Sequence, residues 1–127
     1  MKSLRAKQAV FANYVAQLIS KATELGTPVV VLEWYRTEER QKYLVSIGRS
    51  KTMNSKHILG LAVDLCFLAD LQDDGAMNWT ADKYRHLGLF WENLDPNNKW
   101  GGSFGLTPIE KKQGKYGWDA PHFEMAT

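Results

Sequence analysis

The sequence predicts a small α+β domain, and three observations support this fold class. Segments of helical and strand character alternate along the chain, the gaps late in the chain are of hairpin length, and the chain has only 127 residues. A chain of this length buries roughly 65% of its extended surface on folding, which is enough for one hydrophobic core but not for two. We therefore expect a single domain that spans residues 1–127.

The first segment is predicted to be an amphipathic helix over residues 3–25, because its apolar side chains recur at spacings of three, four and seven. Gly26 is expected to end this helix, and Pro28 prevents its continuation. The β-branched run Val29–Leu32 then predicts a short buried strand. The chain thus opens with a helix followed by a strand.

A second helix is predicted to begin after Thr37, whose hydroxyl can cap it, and to end at Gly48. Glu38 and Glu39 fall in its first turn, where the helix dipole favours negative charge. Residues 49–56 are polar and predict a loop. Residues 61–68 predict an apolar strand in which Asp64 is the only charged residue. A lone carboxylate in such a strand is costly to bury unless it is paired or binds a cation.

The remaining segments complete the alternating pattern. Residues 72–78 predict a turn, and Thr80 is expected to cap a third helix over about residues 81–93. Residues 95–98 predict another turn, and residues 107–117 predict a polar loop. The segment 118–125 is expected to end in a short strand, so the last predicted element is again a strand.

The composition excludes several classes of protein. Hydrophobic residues make up 44% of the chain and aromatic residues 12%, so the sequence lacks the low hydrophobicity of a disordered protein. Cys66 is the only cysteine, which excludes an internal disulfide and any site built from several thiolates. A metal site would therefore need histidine and carboxylate ligands. The net charge of +2 is too small to indicate a nucleic-acid partner.

The N-terminal segment and the hydropathy argue against export and membrane insertion. Lys2, Arg5 and Lys7 resemble the charged start of a signal peptide, but the apolar run that follows stops at Asn13, short of the usual 7–15 residues. No stretch approaches the roughly 18 apolar residues of a spanning helix. We expect a chain that is synthesised in the cytoplasm without a signal peptide and does not insert into a membrane.

Charge is unevenly distributed along the sequence. Residues 36–57 hold six basic and two acidic side chains, and residues 64–95 hold two basic and seven acidic ones. Two solvated faces would explain this pattern. A cleft with one basic wall that attracts an anionic substrate is the alternative.

The three histidines limit the ways in which a metal site could be built. His57, Asp64 and His122 together supply two imidazoles and one carboxylate, a set that suits a single zinc ion and leaves a fourth position for water. Each of these residues could instead have a structural role. His86, on the predicted third helix, is expected to be structural.

Two further residues are candidates for catalysis. Asp119 lies three residues before His122, and it could act as the general base for a zinc-activated water. Arg36 follows the first predicted strand, and its cation could stabilise the oxyanion formed when a carbonyl is attacked. Asp119 could instead be an ordinary turn residue, and Arg36 could simply pair with Glu33, Glu38 or Glu39.

Two separated motifs occur in a specific order, Ser55-x-His57-x-x-Gly60-x-Ala62-x-Asp64 and then Asp119-x-x-His122. On these strings the sequence resembles the LAS group of zinc peptidases, the VanY-like D-alanyl-D-alanine carboxypeptidases and their phage relatives. It is most similar to the single-domain L-alanyl-D-glutamate endolysins of phages. The resemblance extends over most of the chain and includes the segments 35–41, 48–55, 100–104 and 122–124.

The resemblance implies a LAS or hedgehog-like metallopeptidase fold, in which helices flank a short, mostly antiparallel sheet. It implies that His57, Asp64 and His122 bind Zn²⁺ and that Asp119 is the catalytic acid and base. It also implies that Arg36 stabilises the transition state or holds substrate, while Gln41 and Ser55 line the cleft and bind substrate. A departure from the family pattern is the longer loop over residues 105–118, which bears on substrate choice.

The function implied by the resemblance is hydrolysis of peptidoglycan stem peptides by a monomeric phage or prophage endolysin. The 127 residues leave little chain for a separate wall-binding domain, and release to the wall is expected to need a separate membrane-permeabilising protein. A D-alanyl-D-alanine carboxypeptidase is the alternative within this class. A zinc-containing wall-binding module without catalysis is a second alternative. A basic, aromatic-rich nucleic-acid binder is a third, although no nucleic-acid motif is present.

Overall fold

A computed structural model describes residues 3–71 and 80–127 of the chain. Within these ranges the chain forms four α-helices and four strands. In chain order they are α1 Leu4–Glu24, β1 Val29–Glu33, α2 Glu38–Ser46, β2 Ala62–Phe67, α3 Ala81–Leu94, β3 Asn98–Trp100, α4 Pro108–Lys112 and β4 His122–Met125. Short 3₁₀ turns follow β2 and β3. The predicted turn over residues 72–78 lies outside the described residues.

The first two helices begin where the sequence predicts. The Ser3 hydroxyl accepts a hydrogen bond from the Ala6 backbone N–H (3.1 Å), and the Thr37 hydroxyl accepts one from the Arg40 N–H (3.1 Å). Each cap satisfies a backbone donor that has no partner inside the helix. None of the helices in the described ranges is both long and apolar enough to cross a bilayer.

The sequence prediction is wrong for part of residues 107–117, which were expected to be a polar loop. Thr107 and Glu110 form a reciprocal capping box and Pro108 occupies the first turn, so these residues begin the short helix α4. Strand β3 was not predicted either. It has only three residues, too few to show an alternating pattern, and its start at Asn98 overlaps the predicted turn over residues 95–98.

The four strands form one antiparallel sheet in the order β1-β2-β4-β3. Strand β4, the last in sequence, is therefore inserted between β2 and β3. In the register of β2 and β4, Asp64 lies directly opposite His122. On the other side of β2, Asp64 lies opposite Glu33 of β1, after an irregularity in the β1 register. The predicted α+β class with a short antiparallel sheet is confirmed.

One face of the sheet carries the hydrophobic core. Val63, Leu65 and Phe67 of β2 lie in a buried cluster together with apolar side chains of α1 and α3. Aromatic rings form the centre of this cluster, with Trp91 in edge-to-face contact with Phe11 (5.6 Å between ring centroids) and with Phe123 (6.0 Å). Because successive side chains on a strand point to opposite faces, Asp64 and His122 project from the other face. The packed core thus supports the sheet behind the candidate site.

Candidate metal centre

Three residues that are distant in sequence meet on the open face of the sheet. His57, Asp64 and His122 each offer one ligand atom, and these atoms all lie within 4.8 Å of one another. His57 Nε2 is 3.3 Å from Asp64 Oδ2, and His122 Nδ1 is 3.0 Å from Asp64 Oδ1. Asp64 and His122 are brought together because they are directly opposed in neighbouring strands. The three residues predicted as ligands therefore form one cluster.

His57 reaches the cluster from a series of tight turns that precede β2. The Ser55 hydroxyl accepts a hydrogen bond from the His57 backbone N–H (3.2 Å), and the Gly60 N–H donates to the His57 carbonyl (3.1 Å). Gly60 has φ +67°, a left-handed conformation that side chains other than glycine rarely adopt, and an added Cβ would lie 3.0 Å from the Gln8 side chain. The glycine of the sequence motif thus lets the chain turn from His57 into β2.

The second ring nitrogen of each histidine also has a partner. His57 Nδ1 lies 2.8 Å from the Trp34 carbonyl oxygen, which can only accept a hydrogen bond, so Nδ1 donates to Trp34 and Nε2 faces Asp64. His122 Nε2 lies 2.8 Å from Glu124 Oε1. Carbonyl and carboxylate partners on the outer nitrogen are characteristic of metal-binding histidines, because they fix the tautomer and the ring orientation. The donor set and its surroundings both fit a metal ion.

Without a metal, the cluster holds its charges through internal hydrogen bonds. Burial alone would raise the pKa of Asp64, but hydrogen bonds from His122 and His57 outweigh it and hold that pKa well below its ordinary value. Burial alone would lower the pKa of His122, but its hydrogen bonds to Asp64 and Glu124 raise it to about 9. The metal-free centre is therefore an ion pair between the Asp64 carboxylate and the His122 imidazolium.

Asp119 lies beside the cluster without being part of it. Its Oδ2 is 3.8 Å from His122 Nδ1, and its side chain is 43% exposed. The Asp119 N–H donates to the Gly101 carbonyl (3.3 Å), and the Asp119 carbonyl accepts from the His122 N–H (3.0 Å). Burial raises the pKa of the Asp119 carboxyl, as does the nearby Asp64 carboxylate, although His122 opposes this. The carboxyl is thus a stronger base than an ordinary aspartate.

Gly101 lets the chain approach Asp119 closely. A Cβ at residue 101 would lie only 1.9 Å from the Asp119 carbonyl oxygen, so only glycine fits there without a shift of the backbone. A second hydrogen bond joins this turn to the segment before Asp119, since the Gly117 N–H donates to the Gly102 carbonyl (2.7 Å). The turn after β3 therefore sets the position of Asp119.

Arg36 is held by two side chains at the edge of the site. Its Nε donates to Glu33 Oε1 (2.5 Å), and its Nη1 donates to Gln41 Oε1 (2.8 Å). Of the three glutamates considered as partners, the structure pairs Arg36 with Glu33. The hydrogen bond from Arg36 lowers the pKa of Glu33. The Arg36 N–H also donates to the His57 carbonyl (3.0 Å), which fixes this residue relative to the cluster.

Gln41 and Ser55 were predicted to bind substrate, and the structure places them differently. Ser55 lines the cleft over the cluster. Gln41 is fully buried, and its amide nitrogen donates to the Ser50 hydroxyl (2.8 Å) and the Thr52 carbonyl (2.6 Å), while its oxygen accepts from Arg36. In this arrangement Gln41 connects Arg36 to the loop after α2. Its assignment to substrate binding stays a prediction.

The cluster opens into a cleft of about 980 Å³. Five basic side chains of the segment 36–57 line it, together with the four carboxylates at the cluster, which favours a basic wall over a simple solvated face. The basic side chains are Arg36, Arg40, Arg49, Lys51 and Lys56. Phe104 and Trp118 line it as well, and sequence reasoning had assigned neither of them to the site. The sequence did not identify Glu33 and Glu124 as site residues either. Strand pairing brings Glu33 opposite Asp64, and Glu124 contacts His122 from the same strand.

The other candidate residues lie apart from the cluster. His86 is exposed on α3, where its ring stacks over Phe67 (6.3 Å between centroids, 8° between planes). Cys66 is fully buried, and burial raises the pKa of its thiol. Among the described residues, the three-residue cluster of His57, Asp64 and His122 is the only group of histidine, cysteine and acidic side chains arranged to hold a metal.

The chain was compared with known proteins by sequence and by structure. No family model and no curated protein sequence matches it. Among solved structures, the L-Ala D-Glu endopeptidase ChiX of Serratia marcescens matches with a TM-score of 0.55 and 26% identity, over 79% of this chain and 68% of that one. The vancomycin resistance D,D-pentapeptidase VanY, in complex with Zn(II), matches with a TM-score of 0.54 and 21% identity, over 92% and 71% of the two chains.

A further match is the LD-carboxypeptidase LdcB, with a TM-score of 0.56 and 18% identity over 91% of this chain and 56% of that one. The likeness to VanY and LdcB is a likeness of fold. These neighbours are described as an L-Ala D-Glu endopeptidase, a D,D-pentapeptidase in complex with Zn(II) and an LD-carboxypeptidase whose structure concerns peptidoglycan recognition. This chain therefore has the peptidase fold of these proteins, and it places a His/Asp/His group that could bind a metal on that fold.

Proposed function

We propose that this chain is a zinc-dependent peptidase that hydrolyses an amide bond in peptidoglycan stem peptides. The observation that carries the proposal is the cluster of His57, Asp64 and His122, which lines a cleft with a basic wall and has Asp119 3.8 Å from His122. The likeness to ChiX, an L-Ala D-Glu endopeptidase, supports the same class of activity.

The zinc ion would be held by His57 through Nε2, by the Asp64 carboxylate and by His122 through Nδ1. When bound, zinc acts as a Lewis acid and makes hydroxide available from water at neutral pH. The protein supplies the orientation of the ligands, since Trp34 and Glu124 hold the outer nitrogens of the two imidazoles. Metal binding must displace the proton that joins Asp64 to His122.

Asp119 is the proposed general base and general acid. Its raised pKa favours proton transfer from the attacking water, and the same carboxyl then returns the proton to the leaving amine. Its place next to the cluster, but outside the ligand set, suits this role. The hydrogen bonds of its backbone with Gly101 and His122 fix the position of Asp119 relative to the ligands.

Arg36 is proposed to stabilise the negative charge that develops on the carbonyl oxygen under attack. Its guanidinium lines the cleft and is oriented by Glu33 and Gln41 before any substrate binds. A donor held in place in this way needs no reorganisation during the reaction, which is the basis of oxyanion stabilisation. Glu33 and Gln41 each accept from one N–H of Arg36, and the other N–H donors of the guanidinium stay available to the substrate.

The proposed scissile bond is L-alanyl-D-glutamate, and the proposed context is a monomeric phage or prophage endolysin. The likeness to ChiX supports the bond, and the basic wall complements the carboxylates of a stem peptide. We further propose that the chain is synthesised in the host cytoplasm and reaches the wall after a separate protein permeabilises the membrane.

A D-alanyl-D-alanine carboxypeptidase is the second candidate. VanY matches over 92% of this chain, and one of its structures contains D-alanine-D-alanine. A basic wall could equally hold the free C-terminal carboxylate of such a substrate. The products distinguish the two candidates, because the carboxypeptidase releases free alanine and the endopeptidase releases peptides that begin with D-glutamate.

Digestion of purified peptidoglycan tests the proposal. The full chain is incubated with the wall in the presence of zinc, after chelation, and after zinc is added back, and the fragments are identified by mass. We expect release of glutamate-terminated peptides that stops on chelation and returns with zinc. His57→Ala should abolish release, whereas the matched variant His86→Ala should not. Digestion that continues in the chelator, or that survives in His57→Ala, would refute the zinc peptidase.

A further inference from the structure

Trp118 is the most exposed of the large hydrophobic side chains in the described ranges, at 71% of its surface. It lines the cleft and directly precedes Asp119, the proposed base. Covering an exposed indole with an apolar surface lowers the free energy, because apolar area is removed from water. The position of Trp118 therefore points to a contact with a ligand in the cleft.

The ring of Trp118 is held in place by its neighbours. It packs against Phe104 with 5.5 Å between ring centroids and 49° between planes. A Cβ at Gly105 would lie 2.9 Å from the Trp118 ring, so the indole lies closely over this glycine. Lys99 lies 5.7 Å above the Phe104 ring. Phe104 and Trp118 thus form a preformed aromatic wall of the cleft, opposed in character to its basic wall.

The two walls suit a ligand with two chemically different parts. The basic wall complements carboxylates, which leaves the aromatic wall for an uncharged part with a flat apolar face. In a peptidoglycan stem, the residue before the glutamate is L-alanine, a side chain too small to cover an indole. The next group is the muramic acid ring, whose C–H face can lie on an aromatic ring as apolar surfaces do.

We propose that the aromatic wall is a subsite for an N-acetylhexosamine ring attached to the N-terminal side of the peptide. This proposal rests on the proposed function and deepens it, because it assigns the enzyme to peptides still joined to the glycan. The sugar lies on Trp118, and the carboxylates of the peptide face the basic wall. A free stem peptide lacks the part that covers the indole and is therefore a poorer substrate.

A pair of matched substrates tests this subsite. The zinc-loaded full chain is assayed with N-acetylmuramyl-L-alanyl-D-glutamyl-L-lysine and with the acetylated peptide that lacks the sugar. For Trp118→Ala we expect kcat/KM on the muramyl substrate to fall about tenfold, and to fall at least fivefold more than on the sugar-free peptide. Trp118→Phe, which keeps an aromatic ring, should retain most of the native preference for the muramyl substrate over the sugar-free peptide. Ile109→Ala, which removes a similarly exposed side chain that does not line the cleft, should keep the ratio of the native chain.

A binding measurement decides the proposal without relying on activity. The indole N–H signal that is missing in Trp118→Phe identifies Trp118 in the NMR spectrum of the native chain. We expect that signal to shift on addition of N-acetylmuramyl-L-alanyl-D-glutamate and to stay in place with the sugar-free dipeptide. An equal loss on both substrates, a shift with both ligands, or a signal that depends only on protein concentration would overturn the sugar subsite in favour of a peptide contact or self-association. If neither substrate is cleaved, the proposed function fails, and the NMR shift still decides the subsite.

Discussion

At the residue scale, Asp119 and the ligand cluster have separable roles. The Asp119 carboxyl lies outside the set of ligand atoms, so its replacement by asparagine keeps the shape of the site and removes only the proton acceptor. We expect Asp119→Asn to lower kcat by roughly 10²–10⁴-fold. Zinc content, measured by atomic absorption on the same samples, should equal that of the native chain.

Loss of zinc together with activity in this variant would make Asp119 a ligand rather than the base. Unchanged kcat would mean that another group moves the proton. His86→Ala is the matched control, since His86 lies apart from the cluster and its loss should leave both kcat and zinc content near their native values.

Gln41 is fully buried and joins Arg36 to the loop that carries Ser50 and Thr52. Gln41→Leu removes these hydrogen bonds to partly buried or exposed groups, at a cost of about 1 kcal/mol in the free energy of unfolding. We also expect kcat to fall more than KM rises, because Arg36 loses its orientation. Gln41→Glu, which keeps an acceptor for Arg36, should recover part of kcat. A change in KM alone would instead support the original assignment of Gln41 to substrate binding.

The ion pair of Asp64 and His122 gives the metal-free protein a defined pH dependence. The pKa of His122 is raised from 6.5 to about 9, so its contribution to stability is complete below pH 6.5 and is lost as the pH rises through 9. The pKa of Asp64 is lowered, so its contribution is present above its ordinary pKa of 3.8 and is lost as the pH falls. Urea unfolding of chelated protein should show a loss on the order of 2 kcal/mol between about pH 6 and about pH 9.5.

His86→Ala should keep this pH dependence, since His86 lies apart from the cluster. Asp64→Asn should reduce it, because one of the two carboxylates that raise the pKa of His122 through hydrogen bonds is gone. A native chain whose stability is flat over this range would mean that the imidazolium is not formed.

The three proposed ligands were predictable because imidazoles and a carboxylate suit zinc, and because the two motifs that contain them resemble those of a known peptidase family. His57, Asp64 and His122 stand in the predicted motifs, and the structure brings their ligand atoms within 4.8 Å. Glu124, Trp34 and Glu33 were not predictable in the same way. Trp34 acts through its carbonyl, which any residue possesses, and Glu33 reaches Asp64 only through the pairing of β1 with β2.

At the element scale, the turn after β3 positions the proposed base. Gly101→Ala would place a Cβ 1.9 Å from the Asp119 carbonyl oxygen, so the segment around Asp119 must move. We expect a loss of about 1–3 kcal/mol in the free energy of unfolding, together with a fall in kcat of the folded protein. Activity is measured at a temperature well below the unfolding midpoint, so that both effects are seen separately.

Gly26→Ala is the matched control for this substitution. Gly26 has φ +79° with open space around it, so alanine there is strained but does not disturb the site. It should lose stability and keep kcat. If Gly101→Ala also kept kcat, the turn after β3 would not determine the position of Asp119.

The long helix α1 and strands β1, β2 and β4 were predictable from the sequence, whereas β3 and α4 were not. Helix α1 has 21 residues and a repeated apolar stripe, whereas β3 has three residues and α4 five. The existence of β3 depends on its pairing with β4, from which it is separated by the whole segment 101–121. Helix α4 depends on a local capping box, a signal that the sequence contains at Thr107 and Glu110 but that its polar composition conceals.

At the scale of the whole molecule, the small net charge conceals a strongly basic cleft wall. The net charge of the chain is +2, yet five basic side chains of the segment 36–57 line one cleft. We expect KM for an anionic stem peptide to rise several-fold as the ionic strength increases from about 0.02 to about 0.3 M, because salt screens exposed charges beyond the Debye length of about 10 Å at 0.1 M.

Two lysines of the segment 36–57 allow the effect of the cleft charge to be distinguished from the effect of the overall surface charge. Lys51 lines the cleft, whereas Lys42 is exposed but does not line it. Lys51→Gln should raise KM and weaken its dependence on salt, and Lys42→Gln should leave both near their native values. Equal effects of the two substitutions would mean that the substrate responds to overall charge rather than to the basic wall.

The insertion of β4 between β2 and β3 has a consequence for the order of events in folding. Asp64 and His122 are 58 residues apart in sequence, and only the pairing of β2 with β4 brings them together. Contacts of such separation are closed late, because the entropy of the intervening loop must be lost first. Tight metal binding therefore reports that the central strands have closed, and a metal-sensitive probe would follow the last step of folding.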